Sequence, residues 1–487
     1  MKFKFIVVGA GTAGIITATY LKQYWGENAE VVLIYDHSKP GIGVGESLTP
    51  KIYEYLNYVG VTRDELVANV NATVKLGLRF ENWLNDSKYF YHSFVEHSDI
   101  VDPDNICAGF DIANNKFDSD VCYSSIYHEN SLIPANPSAS QALHIDAVLF
   151  SKYIENKFKD RLTIIDDEVI DVKLKTDRSG EIDKLILRNL GEYSGDFYID
   201  ATGFQSALFK RLNTKWVDMT EWLPINRCIP NPISWEFKEQ PTFTTSEASK
   251  DGWILQVPLS NRWGTGYLYS SEFTTDEQAF ERFSTFVKNK YNKDLTNTSK
   301  TLSFKSGYWE NQWVGNCLAV GLASGFAEPL EATNIHHTVY QTKEFIDMFN
   351  FTVHRSDIDR YNTHMQRFYK NAYTYLRFCY STGRTDSEFW KYITNNAPPP
   401  VSDLVSKVKT DLLTNSTCPG LIFNFRNFTK VAHGLKLTDS KKYKSILEKR
   451  NLYEHAKICS DKINTRNMQI LNSAISHKTY IDSILKG

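Results

Sequence analysis

The stretch "KFIVVGAGTAGIITATYLKQYW", residues 4–25, decides the fold. Phe5 to Val8 form a continuous apolar run, the pattern of a parallel strand buried on both faces. Gly9, Gly11 and Gly14 follow in the order G-x-G-x-x-G, and Ile15, Ala18, Leu21 and Tyr24 then recur at helical spacing. A second apolar run, "AEVVLIYD" at residues 29–36, closes a βαβ unit. Between a strand and a helix, each glycine has a physical role. The first permits the tight turn, the second lets backbone approach a pyrophosphate, and the third lets helix and strand pack closely. The helix N-terminus then faces the phosphate charge. Gly9, Gly11, Thr12, Ala13 and Gly14 are therefore the expected dinucleotide cradle, and Asp36 is the expected ribose partner unless it is a solvated loop acid.

The rest of the composition narrows the class. The chain has 487 residues, 42% hydrophobic, with a formal net charge of −2, enough for a large core and without a field that favours nucleic acid or an anionic membrane. Its seven cysteines are scattered, odd in number and free of any CxxC pair, so a reducing compartment is expected and a disulfide framework or zinc site is not. The apolar N-terminus is interrupted by glycines and lacks a small-residue cleavage site, and no run of about 18 apolar residues occurs. A cytoplasmic protein with no metal, no nucleic-acid partner and no membrane span is the expectation; the oligomeric state is left open.

Farther along, "NATVKLGLRFENW" (71–83) alternates, with Val74, Leu76, Leu78 and Phe80 on one face and Lys75 and Arg79 on the other, as in a half-exposed strand. "HIDAVLFSKYIENKF" reads as a helix, and "RLTIIDDEVIDVKLKT" with "GEIDKLILRNL" as antiparallel strands. "WILQVPL" and "RWGTGYLYSS" read as paired strands, and the chain beyond about residue 340 reads as mostly helical, broken at "NNAPPPVSD".

Two later stretches extend the dinucleotide reading. "YIDATGF" (198–204) resembles the ATG motif of flavoproteins with two dinucleotide-binding domains, which favours FAD and adds Asp200 and Gly203 to the cofactor residues. "VGNCLAVGLASGFAEPLEATNIHH" (314–337) resembles the last FAD motif of that class, in which a strand delivers the chain to a helix whose N-terminus points at the flavin.

The resemblance then narrows. "GVGESLTP", "KLGLRFENW", "YFYHSF", "LHIDAVLF", "RWGTGYLYSS", "EPLEAT" and "GRTDSEFW" occur in one order over roughly the first 390 residues. In these blocks the chain resembles the flavin-dependent halogenase family, typified by tryptophan halogenases, and among its members most resembles the broad-substrate ones, viral examples included. The resemblance implies an α/β FAD-binding two-dinucleotide-binding-domain fold with a mainly helical substrate-side module. The expected division is 1–350 for the FAD-binding module, with inserted loops around 95–140 and 205–250, and 351–487 for the helical module. It implies that reduced FAD, supplied by a separate flavin reductase, and O2 oxidise a halide to hypohalous acid. Lys75 then presents the oxidised halogen to a small aromatic substrate, assisted by Glu331. Val44, Gly45 and Glu46 join the cofactor residues, and the backbone N–H groups of Thr333 and Asn334 become the halide seat.

Three features depart from the family pattern. The WxWxIP signature reads "WILQVP", keeping Trp253 and Pro258 but placing Leu255 at the second Trp. "EATN" stands where the tryptophan enzymes usually have "ESTG". The tryptophan-recognition elements are not found in the C-terminal part. The first departure keeps a flavin monooxygenase or oxidase on the same fold as the alternative. The second suggests a seat that favours bromide or iodide over chloride. The third points to an electron-rich aromatic or heteroaromatic substrate other than tryptophan, free or carrier-bound.

Overall fold

A computed structural model describes residues 2–39, 45–94, 105–116, 127–135, 141–177, 180–295, 301–418 and 420–486. The chain divides into two compact units, each assembled from three segments. The first comprises Met1–Ala72, Ile145–Glu221 and Phe304–Tyr369; the second comprises Thr73–His144, Trp222–Ser303 and Lys370–Gly487.

The first unit is built on a six-stranded sheet. Its strand order is Trp313–Val314, Cys317–Ala319, Phe197–Asp200, Phe3–Val8, Ala29–Tyr35 and Thr163–Asp166. All neighbours are parallel except the first pair. The apolar runs lie inside, as a sheet covered on both faces requires. Helix Thr12–Trp25 follows the first strand, and helix Ala147–Phe158 starts where the Asp146 side chain accepts from the N–H groups of Val148 and Leu149. An aromatic cluster locks the sheet to helix Thr333–Met348. Phe5 stacks on Trp25 at 4.8 Å, and Phe345 packs on Phe197 and Trp313 at 5.0 Å each. Burying each such ring contributes about 1.5–3 kcal/mol, so this cluster fixes the helix that carries the stretch after Glu331.

The second unit holds a seven-stranded sheet in the order Leu302–Ser303, Arg227–Ser234, Arg262–Tyr269, Gly252–Pro258, Phe243–Ser249, Gly77–Glu81 and Tyr89–Ser93. Every pair is antiparallel except Phe243–Ser249 with Gly77–Glu81. Helix Asp276–Tyr291 packs Ala279, Phe283 and Val287 against Ile254, Tyr267 and Tyr269 of this sheet. The chain after Lys370 is mainly helical, with the short strand Ala474–Ser476 paired to Leu132–Pro134.

The α/β flavoprotein fold expected from the glycine turn is present, as are the expected helix at 147–158 and the antiparallel pairing of the "WILQVP" and "RWGTGYLY" strands. The compact units do not follow a cut at residue 350. Segments 73–144 and 222–303 belong with the C-terminal helices because their strands pair with one another across the sequence. "RLTIIDDEVIDVKLKT" also splits: Thr163–Asp166 joins the parallel sheet, and only Val169–Leu174 pairs antiparallel with Ile182–Leu187. Among the described residues no helix is long and apolar enough to cross a membrane.

Candidate active site

The glycine turn is held by backbone contacts that leave no room for side chains. Gly9 has φ +103°, and a Cβ there would lie 2.4 Å from the Ala201 carbonyl oxygen. At Gly14 a Cβ would lie 1.8 Å from the carbonyl oxygen of Gly9. Gly11 differs, since a Cβ there meets nothing within 4 Å. The turn thus packs tightly on the protein side and is open at its middle glycine, where no side chain caps helix Thr12–Trp25. That opening at a helix N-terminus fits a dinucleotide pyrophosphate.

Neighbouring strand ends are stitched to the same edge. The Gly9 N–H donates to Ile34 O at 2.8 Å, Ala201 N–H to Val8 O at 2.9 Å, and Val320 N–H to Asp200 O at 2.9 Å. The carboxyl ends of four parallel strands therefore converge, the usual ligand edge of such sheets. Gly321 presses on the first turn of the helix: its φ is +58°, and a Cβ would lie 2.5 Å from the Ala13 Cβ. The sequence reading did not single out Gly321, although its place just after a strand is the signal that finds such glycines.

Two of the three acids assigned to the cofactor, Asp36 and Asp200, are engaged locally. Asp36 Oδ1 accepts from the Ser38 N–H at 2.9 Å and its hydroxyl at 2.6 Å. Asp200 is fully buried, with Oδ1 bonded to the N–H and hydroxyl of Thr202 and Oδ2 to the N–H groups of Leu208 and Phe209. Burial outweighs these four bonds and raises its pKa. Asp200 thereby holds the ATG turn in shape, while Gly203, at φ +65°, has open space where a Cβ would project. Of the strap residues, Val44 lies outside the described residues. Gly45 is buried at φ +89°, and burial pushes the Glu46 carboxyl up to about 7.

The stretch "EPLEATN" makes a sharp double start. Pro329–Glu331 is one 3-10 turn, Ala332 takes a left-handed conformation at φ 59°, and helix Thr333–Met348 begins after it. Ala332 is itself the N-cap position, so the polar cluster is not a side-chain cap. Glu331 is 1% exposed and Thr333 is buried, whereas Asn334 is half-buried. The two histidines that follow are ring-packed and neutral. Thr49 Oγ1 bonds His336 Nδ1 at 2.9 Å, and burial pushes His336 down to about 3. His337 stacks on Phe368 at 4.3 Å, and burial depresses its pKa strongly.

Lys75 lies in the second unit, and its surroundings correct the sequence reading. The alternation around it suggested a polar face, but Thr73, Val74, Lys75, Leu76, Gly77 and Leu78 are all buried, and Lys75 is 0% exposed. The strand breaks at Leu76: Thr73–Lys75 pairs with the strand Ala142–Ile145, and Gly77–Glu81 joins the seven-stranded sheet. The two faces are therefore both covered by protein. The Lys75 ammonium sits 4.7 Å over the Phe94 ring, a favourable cation–π contact. Behind it, Thr73 Oγ1 donates to Pro258 O at 2.6 Å and so accepts from His144 Nδ1 at 2.9 Å. Burial depresses the His144 pKa well below the usual histidine value, and the charge of Lys75 lowers it further. The imidazole is therefore neutral. Trp253 of the "WILQVP" strand is fully buried, and Leu255 is half-buried beside it.

A parallel sheet whose converging carboxyl ends carry an open glycine turn defines an α/β dinucleotide-binding protein. Residues 4–450 match the family model described as tryptophan halogenase, and the chain belongs to this family of flavin-dependent halogenases. It is 29% identical over 455 residues to tryptophan 6-halogenase SttH of Streptomyces toxytricini, covering 84% of each chain. It is 28% identical over 423 residues to 7-chloro-L-tryptophan 6-halogenase KtzR of Kutzneria sp. (strain 744), covering 79% of this chain and 81% of that one. Its fold matches Tar14, a tryptophan C-6 flavin-dependent halogenase from taromycin biosynthesis, with a TM-score of 0.91 at 24% identity over 100% of both chains. The protein is thus an FAD-dependent enzyme of the oxidoreductase class that uses a halide and O2.

Proposed function

We propose that Lys75 delivers the oxidised halogen to a free, electron-rich aromatic or heteroaromatic substrate. The observation that carries this reading is a fully buried ammonium with an aromatic ring on one side and neutral histidine behind it. Burying a lysine is costly, so a fold that keeps one fully buried has a use for its charge.

When bound, fully reduced FAD would supply two electrons and two protons, so that O2, a halide and one further proton give one hypohalous acid, one water and oxidised FAD. The Lys75 ammonium donates a hydrogen bond to that acid and makes its halogen more electrophilic. The ring then forms a carbon–halogen bond as the halogen–oxygen bond breaks, the departing hydroxide takes a proton from the ammonium and leaves as water, and the ring proton passes to a base that can return it to the lysine. Glu331 is our assignment for that base. The N–H groups of Thr333 and Asn334, at the start of a 16-residue helix with no side-chain cap, are the proposed halide seat. With Asn334 in place of glycine and Ala332 held at positive φ, we assign the seat a preference for bromide or iodide, which shed water more readily than chloride. Gly9, Gly11, Thr12, Ala13, Gly14, Gly45, Glu46 and Gly203 would line the cofactor, which a separate reductase would reduce. The six described cysteines are all free, which suits a reducing cytoplasm.

The test is a mass-spectrometric product assay with reduced FAD, O2 and a panel of indoles and phenols. Equal chloride, bromide and iodide are supplied to the wild type and to Lys75→Ala. Brominated or iodinated product that disappears in Lys75→Ala, with FAD still bound, is the expected result. Dominant chlorinated product would sink the halide assignment. Leu255, in place of the second signature Trp, supports one rival: a monooxygenase or oxidase would give product one oxygen heavier, unaffected by Lys75→Ala.

A further inference from the structure

The strand that carries Lys75 has one buried edge that pairs with no described strand. On its other edge it pairs with Ala142–Ile145 in the register Thr73 to His144, Val74 to Leu143 and Lys75 to Ala142. In an antiparallel pair alternate residues turn their N–H groups away from the partner strand. Val74 does so, inside the protein, where an unpaired N–H would cost about 1–3 kcal/mol. No strand meets it. The Val74 N–H donates instead to His477 Nε2 at 2.9 Å.

His477 is the first residue of helix His477–Leu485 and is fully buried. It is held from three sides. Its own N–H donates to Ser131 O at 2.9 Å, and the preceding strand Ala474–Ser476 pairs with Leu132–Pro134. Its Nδ1 lies 3.1 Å from the Gln240 carbonyl oxygen, which can only accept, so Nδ1 carries the proton and Nε2 presents its lone pair to Val74. Gln240 in turn donates to Pro258 O at 3.4 Å, the same oxygen that receives the Thr73 hydroxyl. A chain of hydrogen bonds therefore runs Val74, His477, Gln240, Pro258, Thr73, and its two ends are the residues immediately before Lys75. His477 lies beyond residue 450, where the family match ends.

We propose that His477 is a positioning residue for Lys75, its neutral imidazole standing in for a missing strand so that the lysine backbone is fixed from the edge its sheet leaves open. The proposal rests on the reading of Lys75 as the halogen-delivering group. It acts on geometry, and a misplacement of about 1 Å at a reacting group can cost about a hundredfold in rate. Glutamine at 477 matches the far nitrogen and can accept from the Val74 N–H through its side-chain oxygen. Asparagine matches the near nitrogen, bonded to Gln240, but falls short of Val74. Leucine keeps bulk and loses both bonds.

The experiment compares full-length wild type with His477→Gln, His477→Asn, His477→Leu and Lys75→Ala. It measures kcat and KM for the halogenated substrate, product formed per reduced FAD consumed, FAD affinity and Tm. For His477→Asn and His477→Leu we expect kcat and product per FAD to fall about tenfold to a hundredfold, with KM and FAD affinity within about twofold; His477→Gln should recover to within about threefold. Wild-type kcat in His477→Asn, or no recovery in a His477→Gln protein of wild-type Tm, overturns the positioning role. Should His477→Leu fail to fold, the Asn and Gln pair carries the decision. Halogenation that survives in Lys75→Ala overturns the Lys75 reading and the proposal together, whereas its loss there with wild-type kcat in His477→Asn overturns the positioning role alone.

Discussion

The glycine turn of the first unit and the lysine strand of the second solve opposite problems. At Gly9 and Gly14 the backbone is pressed against backbone, and the remaining opening, at Gly11, is kept by the absence of side chains. At Thr73–Lys75 a charge is kept inside the protein by groups supplied from elsewhere in the unit: the side chains of His144, Phe94 and His477 and the backbone carbonyl of Pro258. One region works by what it lacks, the other by what surrounds it. The first tolerates almost no substitution but needs no partners. The second tolerates its neighbours' chemistry only if the hydrogen bonds close.

If the second unit's chemistry resides in one buried ammonium, Lys75→Ala should lower halogenation by about 10²–10⁴-fold and leave FAD binding within about twofold. Product mass spectrometry and flavin titration check both halves, and a decline in FAD affinity matching the loss of product would place the defect in folding.

The glycines should separate by mechanism. Gly14→Val forces a Cβ to within 1.8 Å of the Gly9 carbonyl oxygen and should destabilise the first unit by about 3 kcal/mol or more. Gly11→Ala has free space, so Tm should hold while FAD affinity falls about tenfold, the cost of keeping phosphate about one methyl group farther from the turn. Equal losses of Tm in the two variants would show that Gly11 is not kept open for a ligand.

The second unit's buried histidines should make its stability fall with acid. His128 bonds Ser93 and Thr242, and burial pushes it down to about 3. A histidine depressed in the folded state is neutral there and protonates in the unfolded chain below about 6.5. Its contribution is therefore complete above that pH and is lost as pH falls toward 3, by about 1.4 kcal/mol per pH unit. Chemical denaturation between pH 6.5 and 5 should show His128→Gln with a shallower slope by about one proton. An unchanged slope would mean that His128 titrates normally in the folded protein.

The smallest effect is expected at Ala332. A non-glycine residue at φ 59° is strained, so Ala332→Gly should stabilise the first unit by up to about 1 kcal/mol. A halide competition on the same variant would show whether that conformation also sets ion choice, with a shift toward chloride as the expected direction.

How much of this was legible depends on where partners sit. The βαβ unit, the strand before Ala201, and the helix after Glu331 all follow from local runs and glycine spacing. Asp200 was recognised as part of the ATG motif, but its carboxylate serves the turn, because Leu208 and Phe209 fold back onto it. Lys75 was found through its motif and misjudged in its setting. Alternation of Val74, Lys75 and Leu76 signals two faces, and it does not say that both are covered. Gly321 and His477 were not singled out. The first had a signal in its position after a strand; the second had none.

The sequence by itself determined the flavoprotein class, the position of the glycine turn and the order of motifs that places this chain among the halogenases. Those features depend on residues a few positions apart, where backbone sterics and periodicity act directly. Only the tertiary structure decided that Lys75 is buried, that a neutral His144 stands behind it, and that a C-terminal histidine completes its strand. The partners of Thr73 and Val74 come from 71, 185 and 403 residues away. Hydrogen bonds over such separations exist only once the sheet and the C-terminal helices have closed around the strand, and no local pattern encodes them.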